Sequence, residues 1–211
     1  MENNQSEQQP AKILLPNGKT EPIDYKDIFL NFAKKIYPDY LIDNNNWETI
    51  QDLIFYFNND SKCKYSLSKG IILGGAVGCG KTLLMNIFRR ILIIDQPETP
   101  MICYSTDIIK RKLIRNNESL EELLPEYMPI FIDDIAKTNG LISIYGNVQD
   151  YETEIFELRY LHYTKNNRHT KTHFTTNLSL DDLKVRFDER VYTRMREMFN
   201  YVYLPGESRR K

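Results

Sequence analysis

The chain has few cysteines, no long apolar run and no excess of either charge. Three of its 211 residues are cysteine. Cys63, Cys79 and Cys103 are scattered, odd in number and without metal-ligand spacing, so they read as reduced thiols of a cytosolic chain, not as a disulfide framework or a zinc site. The longest apolar run, Ile91-Leu92-Ile93-Ile94, stops at Asp95 and is far short of the roughly 20 residues a membrane helix needs. The opening residues, Met1 to Pro10, are polar and mildly acidic, unlike a secretory leader, so a cytoplasmic place with no membrane partner is expected. With 28 Lys and Arg against 29 Asp and Glu, the net charge of −1 gives no chain-wide signal for nucleic acid and leaves only a local basic patch able to supply one. No internal repeat is visible. What remains, 41% hydrophobic and 27% charged residues, is the make-up of one globular domain with modest extensions and a sizeable core.

Polar residues and Pro10, Pro16 and Pro22 make residues 1–22 an expected disordered tail. Residues 23–62 read as a helical extension. Ile28, Phe29, Phe32, Ala33 and Ile36 fall on one helix face, ended by Pro38; Trp47, Ile50, Leu53, Ile54 and Phe57 fall on another, with Asn46 or a neighbouring Asn as its cap. Residues 63–211 read as an α/β domain. Expected strands are Ile71–Leu73, Met101–Tyr104, Ile130–Ile132, His173–Thr176 and Tyr201–Leu204. The helices between them are expected near 81–93, 105–114, 120–124, 149–164, after Ser179, and 189–199, with a loop over 138–146. Ser179 and Asp182 form a capping signal. Strands alternating with helices imply a parallel sheet covered on both faces.

Gly75-Ala76-Val77-Gly78-Cys79-Gly80-Lys81-Thr82 follows the first of these strands and leads into the helix expected over 81–93. The spacing is that of the phosphate-binding loop, G-x-x-x-x-G-K-[ST]. Glycines let the backbone turn its N–H groups toward phosphate oxygens, and the helix start adds a positive dipole end. Lys81 is expected to reach the β- and γ-phosphates of ATP, and the Thr82 hydroxyl to ligate Mg²⁺. Cys79 reads simply as a small residue of the loop.

Pro129-Ile130-Phe131-Ile132-Asp133-Asp134 carries two carboxylates to the C-terminal end of a buried strand, where open α/β sheets bind ligands. Asp133 is the expected Mg²⁺ holder and Asp134 the expected general base. Thr175-Thr176-Asn177 ends the next strand, which a parallel sheet would seat between the other two, so that Asn177 meets the attacking water or the γ-phosphate; a plain turn-forming Asn is the alternative. The run Arg190-Val191-Tyr192-Thr193-Arg194-Met195-Arg196 would ordinarily be a solvated helix face. Its place after Asn177 makes Arg194 the preferred arginine finger, supplied to a neighbouring copy, with Arg190 or Arg196 able to share the role or touch DNA.

These motifs together resemble AAA+ ATPases of the DnaC/IstB kind, the bacterial helicase loaders and transposition helper ATPases. The resemblance covers residues 65–211. It rests on Gly75–Thr82, Ile132-Asp133-Asp134 with a second Asp where many AAA+ proteins carry Glu, Arg159-Tyr160, Thr175-Thr176-Asn177-Leu178, Glu189-Arg190-Val191 with Arg194-Met195, and the closing Gly206-Glu207-Ser208-Arg209. It implies a P-loop AAA+ three-layer sandwich on a five-stranded parallel sheet with no C-terminal lid domain. It also implies a nucleotide site built from Gly75–Leu83, with Arg209 as a second sensor, and ATP and Mg²⁺ as cofactors. Self-association, a replicative helicase or a transposase, and single-stranded DNA are the partners implied. Lys110-Arg111-Lys112 and Arg115 are the candidate phosphate contacts, a solvated helix face being the alternative. A nucleotide-switched scaffold with little turnover is a competing expectation, against which the full set of Lys81, Asp133, Asp134, Asn177 and Arg194 counts. A small-molecule kinase is the remotest, since no lid candidate is visible.

Overall fold

The computed structural model describes residues 12–14, 20–22, 25–95, 100–144, 146–165 and 170–209. The chain divides into two compact units, residues 1–42 and 43–211. In the first, β1 (Lys12–Leu14) and β2 (Thr20–Pro22) pair antiparallel, and α1 (Tyr25–Ile36) follows. The tail expected over 1–22 lies partly outside the described residues; within it, the six residues of β1 and β2 are paired strand. Phe29 and Ala33 are the buried residues of α1, and the Phe29 ring meets Tyr40 edge-on, centroids 6.1 Å apart.

The larger unit takes in α2 (Trp47–Phe57), so the extension expected over 23–62 is split between the two units. After it come β3 (Gly70–Gly74), α3 (Lys81–Asp95), β4 (Ile102–Ser105), α4 (Thr106–Arg111), α5 (Leu120–Leu123) and β5 (Ile130–Ile135). Then follow β6 (Leu141–Ile144), β7 (Asn147–Asp150), α6 (Tyr151–Lys165), β8 (Thr172–Thr176), α7 (Leu180–Arg186), α8 (Glu189–Met198) and β9 (Phe199–Tyr203). Five strands form one parallel sheet in the order β4-β5-β8-β3-β9.

Every residue of β3 and β8 is buried, as befits central parallel strands covered on both faces. Strand alternation assigns the two faces. Ile72, Ile130, Ile132 and Phe174 join one apolar cluster with Ile109 of α4, Leu120 of α5, Phe156 of α6, Leu183 of α7 and Met195 of α8. On the opposite face His173 meets the Tyr56 and Phe57 rings of α2, and Phe57 stacks on Phe88 of α3 at 4.6 Å. The result is three layers, each buried Ile, Leu or Phe contributing about 1.5–3 kcal/mol. Among the described residues no helix, and so no lid domain, follows β9.

Several boundaries differ from the sequence reading for local reasons. The expected loop over 138–146 contains β6 and continues through β7 as an antiparallel hairpin, with Ile142 turned inward. Helix α6 begins at Tyr151, not Gln149, because the Asp150 carboxylate accepts the N–H groups of Glu152 (3.1 Å) and Thr153 (3.3 Å) and so caps it. Asn46 makes no side-chain cap on α2; its Oδ1 instead accepts the Asp43 N–H. The helix expected over 105–114 changes after Arg111 into a π turn, Lys112–Asn116, closed by Asn117 at φ +54°. The Ser179–Asp182 capping box forms as the sequence indicates.

Candidate nucleotide site

Strand β3 delivers Gly75–Gly80 to the C-terminal edge of the sheet, and α3 opens at Lys81. Ala76, Val77 and Thr82 are exposed, Gly78, Gly80 and Leu83 half-buried, Gly75 and Cys79 buried. Gly78 sits at φ +84°, and a β-carbon there would run into the Ser208 side chain. The closing segment runs along the loop: the Leu204 N–H donates to Gly74 O (2.8 Å) and the Arg209 N–H to Gly78 O (2.9 Å). The Arg209 guanidinium donates to Asp43 Oδ2 at 2.6 Å. Burial pushes the Asp43 carboxyl up, but the Asn46 N–H and Arg209 outweigh it and hold it below the usual carboxylate range.

Lys81 is only 5% exposed, and its ammonium donates to Gly75 O (2.9 Å), Ala76 O (2.8 Å) and Asn177 Oδ1 (2.8 Å). Asn177 stands at the end of β8, which lies between β3 and β5. Asp133 Oδ1 accepts two hydroxyls, from Thr82 at 2.8 Å and Thr175 at 2.5 Å. Burial raises the Asp133 pKa most, the Thr175 and Thr82 hydrogen bonds oppose it, and the Asp134 charge adds to the rise. A carboxylate and a hydroxyl converging in this way are hard oxygen donors of the kind Mg²⁺ takes, with phosphate oxygens and water completing the shell.

The acidic pair does not lie on a regular strand. The β5–β8 register shifts between Ile132 and Ile135, and Asp134 sits at φ +61°. Such a bulge re-aims side chains at a sheet edge. Its backbone is held on both sides: the Asp134 N–H donates to Thr175 Oγ1 (2.9 Å), and Asp134 O accepts the Thr106 hydroxyl (3.1 Å). Lys137 Nζ lies 3.9 Å from Asp134 Oδ2 and pairs more closely with Asp107, at 3.1 Å.

The structure thus brings together Gly75–Leu83, Asp133, Asp134, Asn177 and the Arg209 backbone. Arg194 is placed apart: it pairs with Glu157, lies 4.7 Å from the Tyr160 ring centroid and lines a groove of about 680 Å³ with α5 and α6. Arg190 reaches the same Glu157 at 3.2 Å, and Arg196 is exposed. Of the basic strip, Arg111 and Arg115 are exposed and Lys110 half-buried, whereas Lys112 is paired with Glu118 at 2.9 Å. The sequence alone gives no role to Thr175 or Thr106. Thr175 was within reach, since it is the residue of Thr175-Thr176-Asn177 whose pleat faces the β5 acids; Thr106 becomes visible only through the sheet.

Arg159 reads from sequence only as a mark of resemblance. In the structure it is 1% exposed and donates to Thr172 Oγ1 (2.8 Å) and the carbonyls of Leu124, Pro125 and Met128. Burial lowers its pKa to about 10, and its bonds fasten the turn before β5 to the start of β8.

No protein-family profile matches the chain. No curated protein matches it either. Solved structures do. A protein of Streptococcus pyogenes serotype M3 described as a primosome component superposes with a TM-score of 0.58 at 21% identity, over 80% of this chain and 86% of that one. The DnaC helicase loader superposes at 0.56 and 18% identity, over 84% of this chain and 99% of that one. The replication initiator DnaA bound to AMPPCP and single-stranded DNA superposes at 0.59 and 14% identity, over 81% of this chain and 49% of that one. The fold is the P-loop α/β sandwich that these structures share, built on a five-stranded parallel sheet. Within this architecture the phosphate loop, the acidic bulge and Asn177 occupy adjoining ends of β3, β5 and β8. Among the described residues no group of three or more His, Cys, Asp or Glu could hold a metal by itself, so a cation here would depend on Thr82, Asp133 and the nucleotide's own oxygens. No described helix is long and apolar enough to cross a membrane.

Proposed function

We propose that this chain binds ATP with Mg²⁺, hydrolyses it to ADP and phosphate, and works in DNA replication in the manner of a helicase loader. One observation carries the reading: the start of α3 meets the ends of β5 and β8 through direct hydrogen bonds, Lys81 to Asn177 and Thr82 to Asp133, with Thr175 joining Asp133 to the Asp134 main chain. A bare glycine-rich turn has no need of the two acids and the amide around its lysine. The full set likewise favours turnover over a scaffold that only switches partners.

In this reading the loop N–H groups and the Lys81 ammonium neutralise the β- and γ-phosphates. Thr82 and Asp133 hold Mg²⁺, which supplies charge stabilisation to the transferring phosphoryl group. Asp134 orients and deprotonates the attacking water, and Asn177 fixes that water against the γ-phosphate. Arg194 leaves Glu157 to complete the site of an adjacent copy, so hydrolysis requires assembly.

DnaC is described as a helicase loader, and DnaA as a replication initiator bound to AMPPCP and single-stranded DNA. These likenesses favour a replicative helicase over a transposase as partner, and single-stranded DNA as the ligand of Arg111 and Arg115. A cytoplasmic setting suits the three free cysteines. The test is phosphate release from ATP with Mg²⁺, measured with and without single-stranded DNA over a range of protein concentrations. Hydrolysis that needs Mg²⁺ and rises more than in proportion to protein supports the reading. Absence of hydrolysis, with or without ATP binding, would overturn it.

A further inference from the structure

Behind the acidic bulge lies an ionic cluster, buried at Glu152 and half-buried at Arg186 and Asp150, that the catalytic reading does not use. Glu152, on the first turn of α6, is fully buried. Its Oε1 accepts the Ala136 N–H at 3.1 Å, and its Oε2 accepts from Arg186 Nη2 at 2.9 Å. Arg186, at the end of α7, also donates to both Asp150 oxygens (2.8 and 3.1 Å) and to Asn139 O (2.8 Å). Its Nε is buried with no hydrogen-bond partner among the described residues.

The place of this cluster in the chain gives it meaning. Ala136 lies two residues beyond Asp134, and both sit in the left-handed region, at φ +60° and +61°. For residues with a β-carbon that conformation persists only where the surroundings hold it. Thr175 and Thr106 hold the near side of the bulge, and the Ile135 carbonyl accepts the Thr176 hydroxyl at 3.0 Å. On the far side Glu152 takes the Ala136 N–H. Helix α7, whose last residue is Arg186, begins just after Asn177. The cluster therefore joins the turn after the proposed base to the segment after the proposed water-holding amide.

We infer that Glu152 is a positioning residue for hydrolysis: its carboxylate, oriented by Arg186, holds the Asp134–Ala136 backbone so that Asp134 faces the γ-phosphate. Neither residue touches nucleotide. The inference rests on the ATPase reading, and its test separates the two. E152M keeps the volume and removes the acceptor; E152Q keeps an acceptor for the Ala136 N–H. In E152M, kcat for ATP falls about 10- to 100-fold while KM and nucleotide affinity stay within about twofold, and in E152Q kcat recovers to within about threefold of the unsubstituted chain. Amide exchange across residues 133–137 quickens in E152M and not in E152Q. Unchanged kcat and exchange in E152M, equal losses in both variants, or a fall in affinity matching the fall in kcat would each overturn the inference. Should E152M not fold, G140A tests the same cluster, since a β-carbon at Gly140 meets Arg186 Nη2 and Asp150 Oδ1; unchanged kcat there would overturn it. If the unsubstituted chain binds ATP without hydrolysing it, the ATPase reading fails, whereas faster exchange confined to E152M still upholds the role of Glu152 in holding the turn.

Discussion

Lys81 donates a 2.8 Å hydrogen bond to Asn177 Oδ1, so the ammonium proposed for the phosphates is tied to the amide proposed for the water. The pair separates two consequences of changing Asn177. N177A removes one of the hydrogen-bond partners of Lys81 and leaves the charge, so ATP affinity should hold within a few-fold while kcat falls about 10- to 100-fold. N177D places a carboxylate where the amide stood, competing with phosphate for the same ammonium, and should weaken ATP binding about 10-fold or more. Fluorescent-nucleotide titration together with steady-state hydrolysis checks both. Equal affinity for ATP in N177A and N177D would refute the competition.

Adjacent aspartates are predicted to fail differently. Asp133 is turned to the Thr82 and Thr175 hydroxyls, whereas the Asp134 main chain is fastened at the bulge. D134N should retain ATP binding and lose about 10²- to 10⁴-fold in kcat. D133N should instead raise the Mg²⁺ concentration needed for half-maximal activity, about 10-fold or more, with Mg²⁺-free nucleotide affinity unchanged. A Mg²⁺ titration of each variant is the measurement, and an unshifted D133N curve would remove Asp133 from the metal role.

The parts of this fold visible in the sequence are those with a one-dimensional signature. Ile71–Leu73 and Ile130–Ile132 announce themselves because central parallel strands are buried on both faces and so become continuous apolar runs. The phosphate loop is written in its glycine and lysine spacing. The β6–β7 hairpin is not: its strands are four residues each, and Leu141 and Val148 are exposed, leaving no alternation to read. Nor could the left-handed Asp134 and Ala136 be foreseen, because Thr175, Thr106 and Glu152 impose that conformation from other elements. Arg186 and Glu152 look like surface charges on polar helices until the chain folds them against each other.

Arg194 should act only between copies. Within its own chain it is held by Glu157 and the Tyr160 ring, beside a groove built from α5 and α6. R194A should bind ATP normally and hydrolyse it about 10³-fold more slowly, as expected for removal of a finger. Mixing makes the claim specific. D134N supplies an intact Arg194 but an inactive site, and R194A supplies an intact site without its arginine. Equimolar mixtures should regain activity that neither variant has alone. No recovery across a range of concentrations would place Arg194 in a structural role with Glu157.

His173 makes stability depend on pH in a stated direction. It is fully buried on the α2–α3 face of β8, and its Nδ1 accepts the Ile71 N–H at 3.2 Å, which requires that nitrogen to be unprotonated. Burial, aided by the Lys171 charge, lowers its pKa from 6.5 to about 3. Between those values the unfolded chain binds a proton that the folded chain refuses. The stabilisation is therefore complete above pH 6.5 and is lost as pH falls toward 3, at up to about 1.4 kcal/mol per pH unit. H173N offers Ile71 an acceptor that does not titrate. Urea unfolding at pH 7 and pH 5 should show the unsubstituted chain losing about 2 kcal/mol more than H173N over that interval. Parallel losses in the two proteins would mean that His173 is not the group responsible.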